Sequence, residues 1–274
     1  MRINSNYASQ QAIQQSNNAR SGLTDSLNRI ATGNKINKGA DDASGMMIAS
    51  SLKSQSLAMG QAMQNANEGI SITQVADGAL GEMTEILHSI RTNVLAAANG
   101  SQSAESLQAI QSDINGSISA LNDIVSNTSY NGQSLLSGSF TNKSFSMGEG
   151  GSIGISIASV APDQLGDSES GFLSGIDVTS AEGVQDALDV VDLAMEQINQ
   201  TRSTLGSTQN QFGSAIQNMG VSMVNLEAAQ SQIMDTDLAE EVMVMKQMEN
   251  LEKASTFALS KANSSNDHLL NLIA

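Results

Sequence analysis

The sequence predicts a mainly α protein: an elongated antiparallel bundle of long helices with a small β-hairpin, and terminal helices that pair as a coiled coil. Three observations carry this. A single proline, Pro162, occurs in 274 residues, so residues 1–161 and 163–274 contain no ring that must break a helix. Stepping by sevens, Val184, Val191, Ile198, Leu205, Phe212, Met219, Leu226 and Ile233 are all apolar, a heptad sustained far beyond chance. A helix over 184–233 spans about 75 Å at ~1.5 Å per residue, whereas a ball of this chain length is only about 50 Å across.

Composition agrees. Aromatics are 3% and hydrophobic residues 39%, below the roughly 45–50% of ordinary domains. With no cysteine there is no disulfide framework and no cysteine metal site. No apolar run reaches the roughly 18 residues of a membrane span. The opening Met1-Arg2-Ile3-Asn4-Ser5-Asn6 has no apolar core of a secretory signal, which leaves signal-free export open.

Taken in chain order, residues 1–32 carry sparse apolar positions: Ile3, Tyr7, Ala12, Ile13, Ala19, Leu23, Leu27 and Ile30. Such a helix buries too little alone to offset its ordering entropy and needs a partner. Next, Leu80, Met83, Leu87, Ile90, Val94 and Ala97 step at helical spacing, as do Leu107, Ile110, Ile114, Ile118, Leu121 and Val125. Asn99-Gly100 between them is a helix stop, so helices of roughly 44–98 and 104–127 fold back and pack with 184–233. The predicted bundle core is Leu87, Ile90, Val94, Ile110, Ile114, Leu121, Val191, Ile198, Leu205, Phe212, Met219, Leu226 and Ile233.

Residues 128–181 are rich in Gly and Ser and hold three of the five Phe. Phe145 and Met147 alternate, glycines follow, then Ile153, Ile155 and Ile157 alternate, which reads as a hairpin at about 143–158. The glycines lack a following G-K-[ST] and are not a phosphate loop. Gly206, Gly213 and Gly220 recur every seven residues, a spacing that would let a neighbour approach one edge of the long helix. Asp237 with Glu240 has capping-box spacing and starts a last helix carrying Leu238, Val242, Met245, Met248, Leu251, Leu269, Leu270 and Leu272. This helix too needs a partner, either the N-terminal helix or another copy.

Charge is uneven within the total of −16. Residues 1–55 hold six basic and three acidic groups, 56–201 two and seventeen, and 235–274 three and seven. A duplex nucleic acid or an anionic membrane needs the reverse of this acidic middle, so neither is an expected partner. A basic N-terminal arm can lie against an acidic C-terminal arm. Chemistry is sparse. His88 and His268 lack an H-E-x-x-H setting, no G-x-S-x-G exists, and adjacent acids such as Asp41-Asp42 and Glu240-Glu241 point apart on a helix. No enzyme and no cofactor is expected.

Several ordered motifs resemble bacterial flagellin. Leu27-Asn28-Arg29-Ile30-Ala31-Thr32-Gly33-Asn34-Lys35-Ile36-Asn37, with Gly39-Ala40-Asp41-Asp42-Ala43-Ser44-Gly45, is similar to the family's L-x-R-L-S-S-G-x-R-I-N-x-A-x-D-D-A-A-G. Ala66-Asn67-Glu68-Gly69-Ile70-Ser71, Asp77-Gly78-Ala79-Leu80 and Tyr130-Asn131-Gly132-Gln133-Ser134-Leu135-Leu136 continue the likeness. So do Leu205-Gly206-Ser207-Thr208-Gln209-Asn210-Gln211-Phe212, Ala228-Ala229-Gln230-Ser231-Gln232-Ile233 and Asp235-Thr236-Asp237.

The resemblance implies a filament subunit. Residues 1–43 and 235–274 would be the terminal core, an inner tube; 44–234 would be the bundle with its hairpin, an outer tube. With 50 residues between Asn131 and Glu182, no large outer domains are expected. Implied assembly residues are Ile3, Leu23, Leu27, Ile30, Asp41, Asp42, Leu238, Val242, Met245, Met248, Leu251, Leu269, Leu270 and Leu272, with the terminal helices disordered in the monomer and ordered on stacking. Implied partners are other copies, a flagellar export chaperone, the filament cap and hook-associated proteins. The implied location is extracellular, in the filament, after export through the flagellar type III channel without a cleaved signal.

Two departures matter. The chain ends Leu269-Leu270-Asn271-Leu272-Ile273-Ala274, without the family's terminal base. The family's Toll-like receptor 5 patch, roughly Q-R-V-R-E-L-A, is degraded to a stretch holding Ser89, Arg91 and Asn93, which implies weak receptor recognition. The alternatives are a hook–filament junction protein of the same family and a cytoplasmic signalling coiled coil.

Overall fold

The computed structural model describes residues 6–148, 151–168 and 170–273, with side chains described as far as 265. Ile3, the side chains of His268, Leu269, Leu270 and Leu272, and the hairpin residues Glu149 and Gly150 lie outside the described residues. Five long helices dominate the described residues: α1 (Tyr7–Thr32), α2 (Ala43–Ala97), α3 (Ala104–Asn127), α4 (Ala181–Met234) and α5 (Leu238–Ile273). The 54 residues of α4 amount to about 80 Å of helix at ~1.5 Å rise.

The chain forms two compact units, residues 1–56 with 224–274, and residues 57–223. The second is an antiparallel bundle. Along α2 and α4, Gly69 meets Phe212, Asp77 pairs with Arg202, and Arg91 pairs with Asp192, so numbering rises on one helix as it falls on the other. Ser103 caps α3 by accepting from the Ser106 N–H. Gln111 of α3 donates to the Ile176 carbonyl at 3.0 Å and accepts from the Val178 N–H at 2.8 Å, which pins the segment entering α4.

Leu87, Ile90, Val94, Ile114, Leu121, Val191, Ile198, Leu205, Phe212 and Met219 are buried in this core, with Ile110 half-buried at its margin. Leu226 and Ile233 are not part of it. They are half-buried in the terminal unit, although they continue the same heptad. The two compact units divide at 56/57 and 223/224, inside α2 and α4. The core cluster gives the reason: its residues run from Ala62 to Met219, while the buried residues of α2 before it are the small Gly45, Ala49 and Ser56.

Among the described residues, three antiparallel strand pairs occur where one hairpin is predicted. The expected one joins β3 (Lys143–Ser146) to β4 (Ser152–Ile155), with Phe145 opposite Ile153. The others are β1 (Ser129–Tyr130) with β2 (Gln133–Ser134), and β5 (Gly166–Asp167) with β6 (Gly171–Phe172). The first of these turns on Asn131-Gly132, both at positive φ (49° and 75°), the left-handed pair that a two-residue hairpin loop requires. Pro162 sits in the loop before β5, and its carbonyl accepts from the Ser174 N–H.

The expected close approach at Gly206, Gly213 and Gly220 is absent among the described residues, since an added Cβ would meet nothing within 4 Å at any of them. Between α2 and α4 close packing against glycine falls instead at Gly69. There a Cβ would lie 2.6 Å from the ring of Phe212, which also stacks edge-on with Phe145 at 5.7 Å.

Candidate assembly surface

The terminal unit is built on the pairing of α1 with α5. Asn6 caps α1 by accepting from the Ser9 N–H, and Gly33 ends it at φ 72°, donating its N–H to the Arg29 carbonyl. Residues along the two helices meet in antiparallel order. The Asn6 side chain donates to the Ala262 carbonyl, Ser9 to Asn263, and Arg20 to Glu252 at 2.7 Å. Gly22 lies against Met248, and Arg29 is 3.6 Å from Glu241. The basic arm therefore does lie against the acidic one. The two helices pair with each other within one chain. Opposite charge and a seam of small residues let the two helices close on one another.

That seam runs Ala12, Ser16, Ala19, Leu23, Ser26, Ile30, a strict alternation of four- and three-residue steps. Ala12, Ser16, Ala19 and Ser26 are buried, and Leu23 and Ile30 half-buried. Small side chains let backbones approach but bury little apolar area. Ser16 and Ser26 escape a search for apolar residues; the heptad spacing of the six positions is the signal that finds them. Glu241 is 7% exposed, and Arg29 is its ion-pair partner from α1.

A clasp closes the other end of the pair. Asn34 bridges Asp235, the Lys35 N–H donates to the Met234 carbonyl at 2.6 Å, and the Thr236 N–H to Gly33 at 3.0 Å. Asp41 and Asp42 serve the loop beside it. Asp41 accepts from the Asn37 and Lys38 N–H groups, which hold its carboxyl below the ordinary value. Asp42 accepts from Ser44 and Gly45 and so caps α2. A Cβ on Gly45 would meet Asp42 and Ile36 at 2.5 and 2.8 Å, which accounts for glycine there. Asp237 caps α5, accepting from Ala239 at 2.8 Å and Glu240 at 3.3 Å.

The pairing leaves large apolar side chains in water. Leu27 is 49% exposed, Leu238 53%, Val242 41% and Leu251 46%. Tyr7, Ile13, Met243 and Phe257 are also exposed, while Met245 and Met248 are half-buried. Val242, Met243, Lys246, Gln247, Asn250, Leu251 and Ala254 line an open groove of about 610 Å3 on α5. Contiguous exposed apolar surface of this kind marks an interaction site. On the bundle, Ser89 and Arg91 are exposed and Asn93 half-buried, and the Arg91 guanidinium holds Asp192 through Nε at 2.8 Å. Among the described residues, no group of three or more His, Asp or Glu could hold a metal ion. No helix of the described residues is long and apolar enough to cross a membrane.

Comparison with known proteins agrees with this geometry. The bacterial flagellin N-terminal helical region matches residues 3–141, and the bacterial flagellin C-terminal helical region matches 188–273. Flagellin B of Vibrio anguillarum is 30% identical over 99% of both chains. Flagellin A of Helicobacter mustelae is 52% identical over 53% of this chain, a match to 30% of its own length. Among solved structures, Bacillus cereus flagellin superposes with a TM-score of 0.50 at 21% identity, over 57% of this chain and 88% of that one. A protein described as flagellar hook-associated, from Vibrio parahaemolyticus, gives 0.61 at 14% identity over 71% and 100%. At these identities the two structures show the fold alone, whereas the two sequence regions together cover most of the chain. The chain belongs to the bacterial flagellin family, a family of structural proteins, and is a subunit of the flagellar filament.

Proposed function

We propose that copies of this chain stack through the terminal unit, with α1 and α5 forming an inner tube and the bundle an outer one. The observation that carries this is the row of exposed apolar side chains on the paired arms, Leu27, Leu238, Val242 and Leu251. Burying such a side chain contributes about 1.5–3 kcal/mol, so a few per subunit suffice to drive stacking. Residues Leu23, Ile30, Met245 and Met248 act one layer in, holding the two arms together. Asp41 and Asp42 shape the loop that presents them. Ile3, Leu269, Leu270 and Leu272 would extend the same surface.

The filament lies outside the cell. The subunit reaches it through the flagellar export channel, and lack of cysteine means that no oxidation step must follow export. An export chaperone covers the exposed face of α5 before secretion. The filament cap and hook-associated proteins meet the subunit at the filament's ends. Toll-like receptor 5 recognition is weak, because one arginine of the patch is missing and Arg91 is held by Asp192. Potency equal to that of a flagellin with the full patch, in a reporter-cell assay, would contradict this last point.

The test of the assembly reading is a chain lacking residues 237–274. It is expected to keep the helical bundle by circular dichroism and to form no filaments. Long filaments of the truncated chain in negative-stain images would refute the reading.

A further inference from the structure

The chain has fourteen methionines and no cysteine or tryptophan, so thioethers are its main readily oxidised groups. They are not spread evenly by exposure. Met83 and Met219 are buried in the bundle, and Met59, Met63, Met147, Met195 and Met223 are half-buried. The methionines exposed among the described residues all fall in the terminal unit: Met46 at 37%, Met47 at 70% and Met243 at 67%. Each stands among other exposed apolar side chains. Met46 and Met47 precede Ile48 at 47%, and Met243 follows Val242 and lines the groove on α5 with Leu251.

We infer that Met47 and Met243 are peroxide-sensitive modification sites whose oxidation blocks addition of the subunit to a filament. The inference rests on the assembly reading above. In the step, the thioether sulfur attacks one oxygen of hydrogen peroxide. The O–O bond breaks, the departing hydroxide takes up the remaining proton, and methionine sulfoxide and water form. Sulfur loses two electrons and peroxide gains them. A flexible apolar side chain becomes a polar one carrying a strong acceptor. In the free subunit the sulfoxide is hydrated at no cost. Against a neighbouring copy it must be desolvated, and it opposes the burial that drives stacking. Sulfur inside a finished filament is covered by its neighbour, so oxidation acts on free subunits rather than on polymer.

The test treats the full chain with hydrogen peroxide, maps oxidation by mass spectrometry and measures the critical concentration for assembly by sedimentation. Met47 and Met243 are expected to oxidise about tenfold faster than Met83 and Met219 in the free chain, and to be protected in filaments. Oxidised chain is expected to need about tenfold more subunit to assemble, a ratio that methionine sulfoxide reductase reverses. In Met47→Leu/Met243→Leu the ratio between treated and untreated protein falls to about one, whatever its untreated value. Equal oxidation rates at exposed and buried methionines, or an unchanged ratio in the double variant, would overturn the inference. Untreated chain that forms no filament at all would overturn the assembly reading. Normal filaments from chain oxidised at both sites would overturn this inference alone.

Discussion

Alanine at Gly69 and at Gly78 should change stability in opposite directions, although both glycines lie in the same helix. Replacing an exposed helical glycine by alanine stabilises by about 1 kcal/mol, because glycine loses more backbone freedom on folding. Gly78 has nothing within 4 Å of an added Cβ, so Gly78→Ala keeps that whole gain. At Gly69 the same Cβ would lie 2.6, 2.8 and 3.0 Å from three ring atoms of Phe212. Phe212 is fully buried and its ring stands edge-on to Phe145, so it has no free side to turn toward. Overpacking of this kind costs about 1–3 kcal/mol, which leaves Gly69→Ala about 1 kcal/mol less stable than the parent after the helix gain. At roughly 2–4 °C per kcal/mol, the two variants should melt about 4–8 °C apart. Circular dichroism at 222 nm on heating measures it. Phe212→Leu removes the ring atoms involved, so in its presence Gly69→Ala should become neutral or stabilising. Equal stabilisation by the two alanines would refute the wedge of Phe212 against α2.

Other predictions concern the terminal unit. Asp237→Ala removes two hydrogen bonds at the start of α5 and should cost about 1 kcal/mol, seen as faster amide exchange at Ala239 and Glu240. Glu249 is held at a pKa of about 2, below the usual 4.5, by Lys253 and then Lys246. Its contribution to α5 is present above pH 4.5 and lost as pH falls toward 2, and Lys253→Gln should move its NMR titration midpoint upward. Asp41, lowered by the Asn37 and Lys38 N–H groups, behaves in the same sense. The loop it holds should loosen as acid protonates it, and Asp41→Asn should remove that pH dependence from amide exchange at Asn37 and Lys38.

The long helices were legible because their signal is additive: each heptad from Val184 to Met219 repeats the evidence of the last. Periodicity reports a buried face but not the partner that buries it. Leu226 and Ile233 keep the beat of α4 after the partner has changed, so the unit boundary was invisible. The seam of α1 was partly hidden because serine at positions 16 and 26 packs for its size rather than its apolarity. Charge did reveal the partner: a basic first arm and an acidic last arm meet through Arg20–Glu252 and Arg29–Glu241. The pairs at 129–134 and 166–172 contain two residues per strand, too few for alternation to register. Asn131-Gly132 was the one local sign of the first. The glycine trio at 206, 213 and 220 has the spacing of a packing edge, whereas the helical glycines that do admit a close neighbour, Gly22, Gly45, Gly69 and Gly183, share no period.

The most direct test of the central claim is a cryo-electron microscopy reconstruction of filaments grown from the purified chain. In such filaments α1 and α5 are expected around the central channel, with Leu27, Leu238, Val242 and Leu251 buried against neighbouring copies. Filaments in which those four side chains remain in solvent, with contacts made by residues 57–223 alone, would contradict the claim.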